Sequence, residues 1–413
     1  MSMFIEFPPV STEEWEAAAR ADLMGKSPGK VLYRAEDRAR GDVPQPWPAR
    51  AWQIWAPVAN IDAAQRALKR GAEGLVVAAP TAEWLAVLQG VHLHTSTSEA
   101  SLTPWATGLS GTIEAIVVPE TLPGFRAVEV LADELTITQQ VALCRKFQPN
   151  SLALKPTPMD LLVPVGPLYF EEIAKFRALR RMCPGARIIA RTSRFHATAY
   201  EPHVNLLRAT TEAMAAIIGG CDALIVTPFT EACGYVDEHA ERLALNTQLL
   251  LRDEAYFAQV ADPAAGSWYI EALTLELLRG TREVPATGAF VGVNKYPNAT
   301  ESAPAAITTG RATTALEQCR HRADKAARRP TVRLVRGTDE KISRARAAFS
   351  RDFFVAGGFA VVNGDDADIT VLCDADANYP AARTFPVLAA GLDFGRHSDH
   401  PALIAEWQNR LGI

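Results

Sequence analysis

The sequence is short of the features that mark several large functional classes. None of its six cysteines (Cys144, Cys183, Cys221, Cys233, Cys319 and Cys373) stands in a CxxC pair. That pattern is neither a zinc site nor a dense disulfide framework, and each cysteine reads as a reduced, small apolar residue. The eight histidines do not group with Asp, Glu or Cys at metal-ligand spacing; His92 and His94 share a strand face, but no third ligand lies nearby. No GxGxxG and no GxxxxGKS/T occurs, so neither phosphate-cradling loop is present. No run of roughly 18 apolar residues exists, and the N-terminal MSMFIEFPPVSTEEWEAAARADL lacks a basic segment followed by an apolar one. Neither membrane spanning nor secretion is indicated, and a cytoplasmic location is expected. The formal charge of -5 and pI near 6.0 give no basic field, which argues against a nucleic-acid partner.

What is there is enough for a substantial core: 413 residues, 48% hydrophobic and 22% charged, consistent with two or more domains. Residues 1–58 read as an extension, with an acidic amphipathic helix over Thr12–Leu23 and then a Trp- and Pro-rich arm. Its tryptophans, Trp15, Trp47, Trp52 and Trp55, must land on this chain's own body or on another subunit. Over 59–282 short apolar runs alternate with helical patterns. The runs are Gly74–Ala79, Val91–Thr95, Glu114–Val118, Ala127–Leu131, Leu161–Val165, Arg187–Thr192, Ala223–Thr227 and Phe257–Val260. Helical patterns cover Thr81–Leu88, Ile137–Phe147, Tyr169–Arg181, Glu201–Ile218 and Glu238–Asp253. Continuous apolar strands between amphipathic helices predict a parallel sheet covered on both faces. About eight such units point to a (β/α)8 barrel, with a doubly wound open sheet as the alternative. Residues 283–329 read as a loosely packed linker with one helical stretch, Thr313–Ala327. Residues 330–413 alternate β, α, β, β, β, α, which predicts a small flavodoxin-like domain lacking one or two units.

Barrel chemistry gathers at strand C-terminal ends, where Arg191, Ser193, Arg194 and His196 follow one apolar run. The two arginines suit a phosphate or carboxylate clamp and the histidine an acid or base; the plain alternative is a salt bridge at the mouth and a satisfied loop histidine. Lys155, Glu171, Glu172 and Lys175 form the densest charged cluster, with Glu171 and Lys175 spaced i, i+4, a pattern that normally decorates a solvated helix face. Gly357-Gly358 precedes a strand and reads as a helix C-cap.

The segment YFEEIAKFRALRR (169–181) resembles the methylmalonyl-CoA mutase family, whose barrel carries a helix reading FFEEIAKFRAxRRLW. ARTSRFHATAYEPHVNLLRATTEAMAAIIGG (190–220), ERLALNTQLLL (241–251) and VADPAAGSWYIEALTLELL (260–278) resemble further family blocks in the same order. EFPPVSTEEWEAAARADLMGK, with YRAED (33–37), resembles the small-subunit branch. The resemblance implies a shortened TIM barrel followed by a degenerate, flavodoxin-like domain of the cobalamin-binding type. The family isomerises methylmalonyl-CoA and succinyl-CoA, with acyl-CoA threaded down the barrel axis and adenosylcobalamin held against the C-terminal domain.

Against that pattern this chain departs at named positions. The family's D-x-H-x-x-G, whose histidine ligates cobalt, is here Asp339, Lys341 and Arg344: an ammonium offers cobalt no lone pair, and an arginine obstructs close approach. The RTSGWSLT block becomes RTSRFHAT, placing Arg194 at a glycine position. In the GGTQSLHTN block the glutamine and histidine become Asp222 and Ile225. The SGYH block has no counterpart. What the resemblance then implies is a non-catalytic small subunit: no catalytic residue, no metal, no cofactor bound by this chain, and adenosylcobalamin in a homologous catalytic large subunit that forms a heterodimer with it. Arg191, Ser193 and Gln248 are expected to mark a vestigial substrate pocket. A mutase barrel working with a separate cobalamin chain, or an acyl-CoA-binding regulatory protein, are the alternatives.

Overall fold

The computed structural model describes residues 10–24, 49, 51–78, 80–88, 91–95, 113–115, 125–130, 133–144, 159–284, 288–380, 386–394 and 399–413; Trp47 and Lys155 lie outside these. Eight parallel strands, β1 (Gln53–Pro57), β2 (Gly74–Val77), β3 (His92–Thr95), β4 (Ile113–Ala115), β5 (Phe125–Val130), β6 (Met159–Val165), β7 (Ile188–Thr192) and β8 (Ala223–Ile225), pair in chain order. β1 also pairs with β8, Gln53 opposite Ala223, which closes the sheet into a barrel. The architecture is thus mixed α/β with a TIM-like barrel.

The strands depart from the sequence pattern at two places. Phe257–Val260 is not a strand: Phe257–Gln259 is one 3-10 turn, entered through Tyr256 in the left-handed region at φ 56°, where no strand can begin. The eighth strand is instead β1, from the Trp-rich stretch assigned to the extension, so the barrel starts N-terminal to residue 59.

Alternation along each strand sorts the side chains. Outward residues such as Ile54, Leu161, Val163, Ala190 and Leu224 join the main core beneath the helices. Inward ones, Trp55, Leu162, Ile189, Ala223 and Ile225, fill the lumen. Trp55 is wholly buried, and its indole occupies the space left by Gly74 opposite it: a Cβ on Gly74 would lie 2.6 Å from the ring. Beneath it a polar layer seals the N-terminal end. The Arg187 guanidinium lies 5.8 Å from the Trp55 ring and donates to Gln53 Oε1 at 2.8 Å, and the Gln53 amide contacts His92 Nε2 at 2.9 Å.

The helices begin where short polar side chains can cap them: Asn60 accepts from Ala63 N before α2 (Ile61–Lys69), and Asp237 from Ala240 N before α7 (Glu238–Leu249). A single turn of helix, α3 (Leu85–Leu88), lies between β2 and β3. Helix α5 (Tyr169–Met182) is the exception to amphipathicity, since every residue from Glu171 to Leu179 is buried. Helices α4 (Ile137–Cys144) and α6 (Val204–Ile218) flank it and α8 (Trp268–Arg279) crosses it. The charged cluster on α5 is therefore interior, contrary to the solvated face its spacing suggests. Lys175 pairs with Glu172 at 2.6 Å, not with Glu171, and donates its other two protons to Gln140 Oε1 at 2.9 Å and Pro164 O at 2.6 Å. Glu171 pairs with Arg282 and Arg177 with Asp262. Buried charges persist only when matched in this way.

After α8 the chain does not trail loosely as a linker. Phe290, Val293 and residues of α9 (Thr314–Lys325) belong to the core of a second unit. That unit has a four-stranded parallel sheet in the order β10-β9-β11-β12, with β9 (Thr331–Arg336), β10 (Ala360–Val362), β11 (Ile369–Cys373) and β12 (Val387–Ala389). This is the doubly wound order. Helices α10 (Glu340–Ala356) and α11 (His400–Arg410) cover it, and α10 ends at Gly357-Gly358, the second glycine left-handed at φ 85°. Helix α9 clamps this unit to the barrel. Its Glu317 accepts from Ala199 N at 2.7 Å and pairs with Arg311 at 2.6 Å, and its Asp324 accepts from the Tyr200 hydroxyl at 2.8 Å. Among the described residues no helix is long and apolar enough to cross a membrane.

The packing of Trp55 on Gly74 makes a direct prediction. Gly74→Ala lowers stability by about 1–3 kcal/mol, the usual cost of overpacking. Urea unfolding of G74A and of the double variant with Trp55→Leu should show the second change recovering most of that loss, whereas additive losses would mean the two side chains do not meet.

Candidate functional site

The C-terminal mouth of the barrel is where β6, β7 and β8 deliver side chains to one place. At the end of β7 the inward position is Arg191 and the next two residues turn onto the rim. Thr192 and Thr227 tie the ends of β7 and β8 together, Thr227 N donating to Thr192 Oγ1 at 2.8 Å and Thr227 Oγ1 to Thr192 O at 3.0 Å. Beyond them the loop 193–198 is organised by Asp133, whose carboxylate accepts from Ser193 Oγ at 2.8 Å, Arg194 N at 2.7 Å and Phe195 N at 2.9 Å.

This places serine, histidine and aspartate together, but in the wrong order for nucleophilic catalysis. Ser193 Oγ directs its proton to Asp133, so His196 Nδ1, 2.9 Å from the same oxygen, acts as donor in this network and not as the base that would activate the hydroxyl. Burial lowers the His196 pKa, with Asp133 opposing, which keeps the ring neutral. The ring stacks on Phe290 at 6.0 Å. His196 is thus a satisfied loop histidine that fixes the rim against the second unit.

At the mouth lies a cavity of about 320 Å³. Its walls are apolar, from Val58, Val76, Leu162 and Ile225, and Arg191 and Arg194 face it. Arg194 is neutralised by Glu231 at 2.8 Å. Arg191 is not: its Nε is buried with no hydrogen-bond partner among the described residues. Burial, and then the neighbouring Arg194, push its pKa down.

The structure does not bring all three expected pocket residues together. Arg191 faces the cavity, whereas Ser193 does not line it and is held on the neighbouring loop by Asp133. Gln248 is elsewhere: fully buried on α7, it donates to Trp55 O at 3.2 Å and holds β1 from outside the barrel wall. The residues missed in the sequence are Trp55, Gly74 and Asp133. The alternation in Gln53–Pro57 was the available signal for the first of them, masked by the surrounding Trp- and Pro-rich composition.

The other crevice to examine is the switch point of the second sheet, beyond the ends of β9 and β11, where doubly wound folds bind ligands. Asp339 is the N-cap of α10, accepting from Ile342 N at 3.0 Å. Lys341 is exposed and Arg344 pairs with Glu340 at 2.6 Å on the surface. The crevice itself is taken by Asp374, which accepts from Thr338 N at 3.0 Å, Asp339 N at 3.1 Å and Ala375 N at 2.8 Å. Burial alone would raise its pKa; those amides outweigh it and bring the carboxyl down to about 2. A Cβ on Gly337 would overlap the same carboxyl. Cobalamin, which the resemblance implies for this domain type, does not fit these residues: no imidazole stands at Lys341, and a carboxylate of the chain fills the approach. Among the described residues no three His, Cys, Asp or Glu side chains could hold a metal ion.

Glu212 supplies a pH signature for the rim. Its carboxyl is buried beneath the loop and accepts from Ser193 N at 2.9 Å; burial pushes its pKa well up, with that amide opposing. Above about pH 4.3 the unfolded chain releases a proton that the folded state retains, so this group weakens the fold as pH rises toward its folded pKa. Glu212→Gln keeps the acceptor and removes the charge. Its stability relative to the parent protein, measured by urea unfolding, should rise between about pH 5 and about pH 8; a pH-independent difference would contradict the assignment.

Comparison with known proteins agrees with the geometry. Residues 156–287 match the methylmalonyl-CoA mutase family. The methylmalonyl-CoA mutase small subunit of Porphyromonas gingivalis is 29% identical, over 66% of this chain and 60% of its own length. That of Streptomyces virginiae is 32% identical, over 51% and 46%. The 2-hydroxyisobutanoyl-CoA mutase large subunit of Aquincola tertiaricarbonis is 40% identical, over 26% and 22%. The chain spans about half to three fifths of the length of the small subunits it matches. A solved dihydropteroate synthase from Thermus thermophilus overlaps 50% of this chain and 94% of its own at a TM-score of 0.30 and 16% identity, which adds nothing to the strand pairing. The chain is thus similar to the methylmalonyl-CoA mutase family through residues 156–287 and, along its longer matches, to that family's small subunits.

Proposed function

We propose that this chain is the non-catalytic small subunit of a heterodimeric methylmalonyl-CoA mutase, acting in the cytoplasm. It stabilises a homologous large subunit that carries adenosylcobalamin and interconverts methylmalonyl-CoA and succinyl-CoA. The observation that carries the reading is Trp55: its indole and the Arg187–Gln53–His92 layer beneath it occupy the axis along which the family's catalytic barrels thread acyl-CoA. The same feature disfavours a mutase barrel served by a separate cobalamin chain, since that barrel also needs an open axis. The Asp374-filled crevice, with Lys341 at the histidine position, supports the assignment of cobalamin to the partner.

The N-terminal helix supports the partner role. Helix α1 (Thr12–Asp22) carries a capping box in which Ser11 and Glu14 satisfy each other's backbone N–H groups, so its start is well specified. Yet no residue of it is buried, and Leu23 and Met24 beyond it are exposed. A helix of this length is marginal in water without a packed face, and the large subunit would supply that face.

Co-expression with a catalytic large subunit tests the reading. The two chains should co-purify in equal amounts, with mutase activity only when the large chain is present. Trp15→Ala together with Leu23→Ala should weaken the association at least tenfold while leaving this chain folded. Isomerase activity of this chain alone with adenosylcobalamin would overturn the proposal.

A further inference from the structure

We infer that the mouth of the barrel binds a small organic carboxylate, held by Arg191 with its short apolar body against Val58, Val76, Leu162 and Ile225. The inference goes beyond the partner reading and does not rest on it.

Among the described residues each carboxylate at the mouth already has a partner: Glu231 has Arg194 at 2.8 Å, Glu241 has Arg66 at 3.0 Å, and Asp133 is taken up by the 193–195 loop. Among the described residues of the mouth, Arg191 is left with a buried nitrogen that has no acceptor. Leaving a half-buried cation without an acceptor is unfavourable; burial and then Arg194 lower its pKa, with Asp133 and Glu231 opposing.

The shape of the space agrees with a small ligand. Alternation on β7 puts Ile189 into the lumen packing and Arg191 one layer above it, at the foot of the open cavity. A space of about 320 Å³ lies at the small end of ligand pockets, and apolar walls with a few polar groups, Arg191 among them, are what such pockets present. In the lumen Trp55 is wholly buried among Leu162, Ile189 and Ile225, so a ligand enters from the C-terminal face and must be short. A molecule that threads the barrel is excluded by the same indole.

The donor geometry selects the anion. A guanidinium fork matches one carboxylate in two parallel hydrogen bonds. A phosphate carries more charge and calls for more donors than this one unpaired guanidinium supplies. A singly charged acid with a few carbons satisfies both the fork and the walls.

Isothermal titration of the full chain with butyrate, butyramide and inorganic phosphate at low ionic strength tests this. Butyrate should bind saturably at one site. Butyramide, the neutral isostere, should bind at least tenfold more weakly, and phosphate more weakly than butyrate. Arg191→Met should lose butyrate at least tenfold, Arg191→Lys should fall between it and the parent, and Lys341→Ala on the other unit should change nothing. Equal affinity for acid and amide, unchanged affinity in Arg191→Met, tighter phosphate binding, or no saturable heat with butyrate up to about 50 mM, where even very weak sites fill, each overturns the assignment. The acid–amide comparison is made on the parent protein and stands even if Arg191→Met fails to fold. Association with a large subunit is a separate measurement, so either inference can fail alone.

Discussion

The Trp55 indole lying across the barrel in the space Gly74 leaves is the contact on which the rest of the molecule depends. Lumen packing in an eight-stranded parallel barrel needs large side chains from some strands and small ones opposite. Here one tryptophan shares the filling with Leu162, Ile189, Ala223 and Ile225. It is held from three sides: Gln248 grips its carbonyl from α7, Arg187 lies beneath its ring, and Gly74 admits it. From this follow both the closed N-terminal half and the shallow cup left above it.

The second organising feature is how much charge the interior carries. Helix α5 is sandwiched between the barrel wall and α8, so Glu172, Lys175 and Arg177 have no route to solvent. Lys175 meets three acceptors with three protons. The same matching recurs where Glu317 and Asp324 of α9 engage the 199–200 loop. Replacing matched buried ions by apolar residues is often tolerated, whereas removing one partner is not. These pairs therefore fix one arrangement of helices on the wall more than they add stability.

The fold class was legible because its signal is local. Apolar runs such as Leu161–Val165 and Arg187–Thr192 sit on both-faces-buried strands, and caps such as Asp237 and Asp339 sit where short acids precede helices. The eighth strand was not legible. Gln53–Pro57 is a strand because β8, far along the chain, pairs with it, while the apolar Phe257–Val260 is a turn because Tyr256 takes a left-handed backbone. The α5 charges misled for the same reason, since the α8 segment that buries them follows them in the chain. At the candidate sites the substituted positions, Lys341, Arg344 and Arg194, could be read directly. The compensating ones could not: Asp374 is an ordinary acid after an apolar run until the end of β11 brings it to the amides of Thr338 and Asp339.

The seam between β1 and β8 has a consequence for how the molecule is made. Its register, Gln53 opposite Ala223, joins the first strand to the last, so the contact of longest sequence separation in the wall is also the one that completes it. Loop-closure entropy opposes such contacts until most of the chain is in place. A chain emerging N-terminus first therefore carries β1 as an unpaired edge, with Trp55 in the open, until the residues of β8 have been synthesised. The interval before that seam closes is when the chain is most exposed to pairing with another copy of itself.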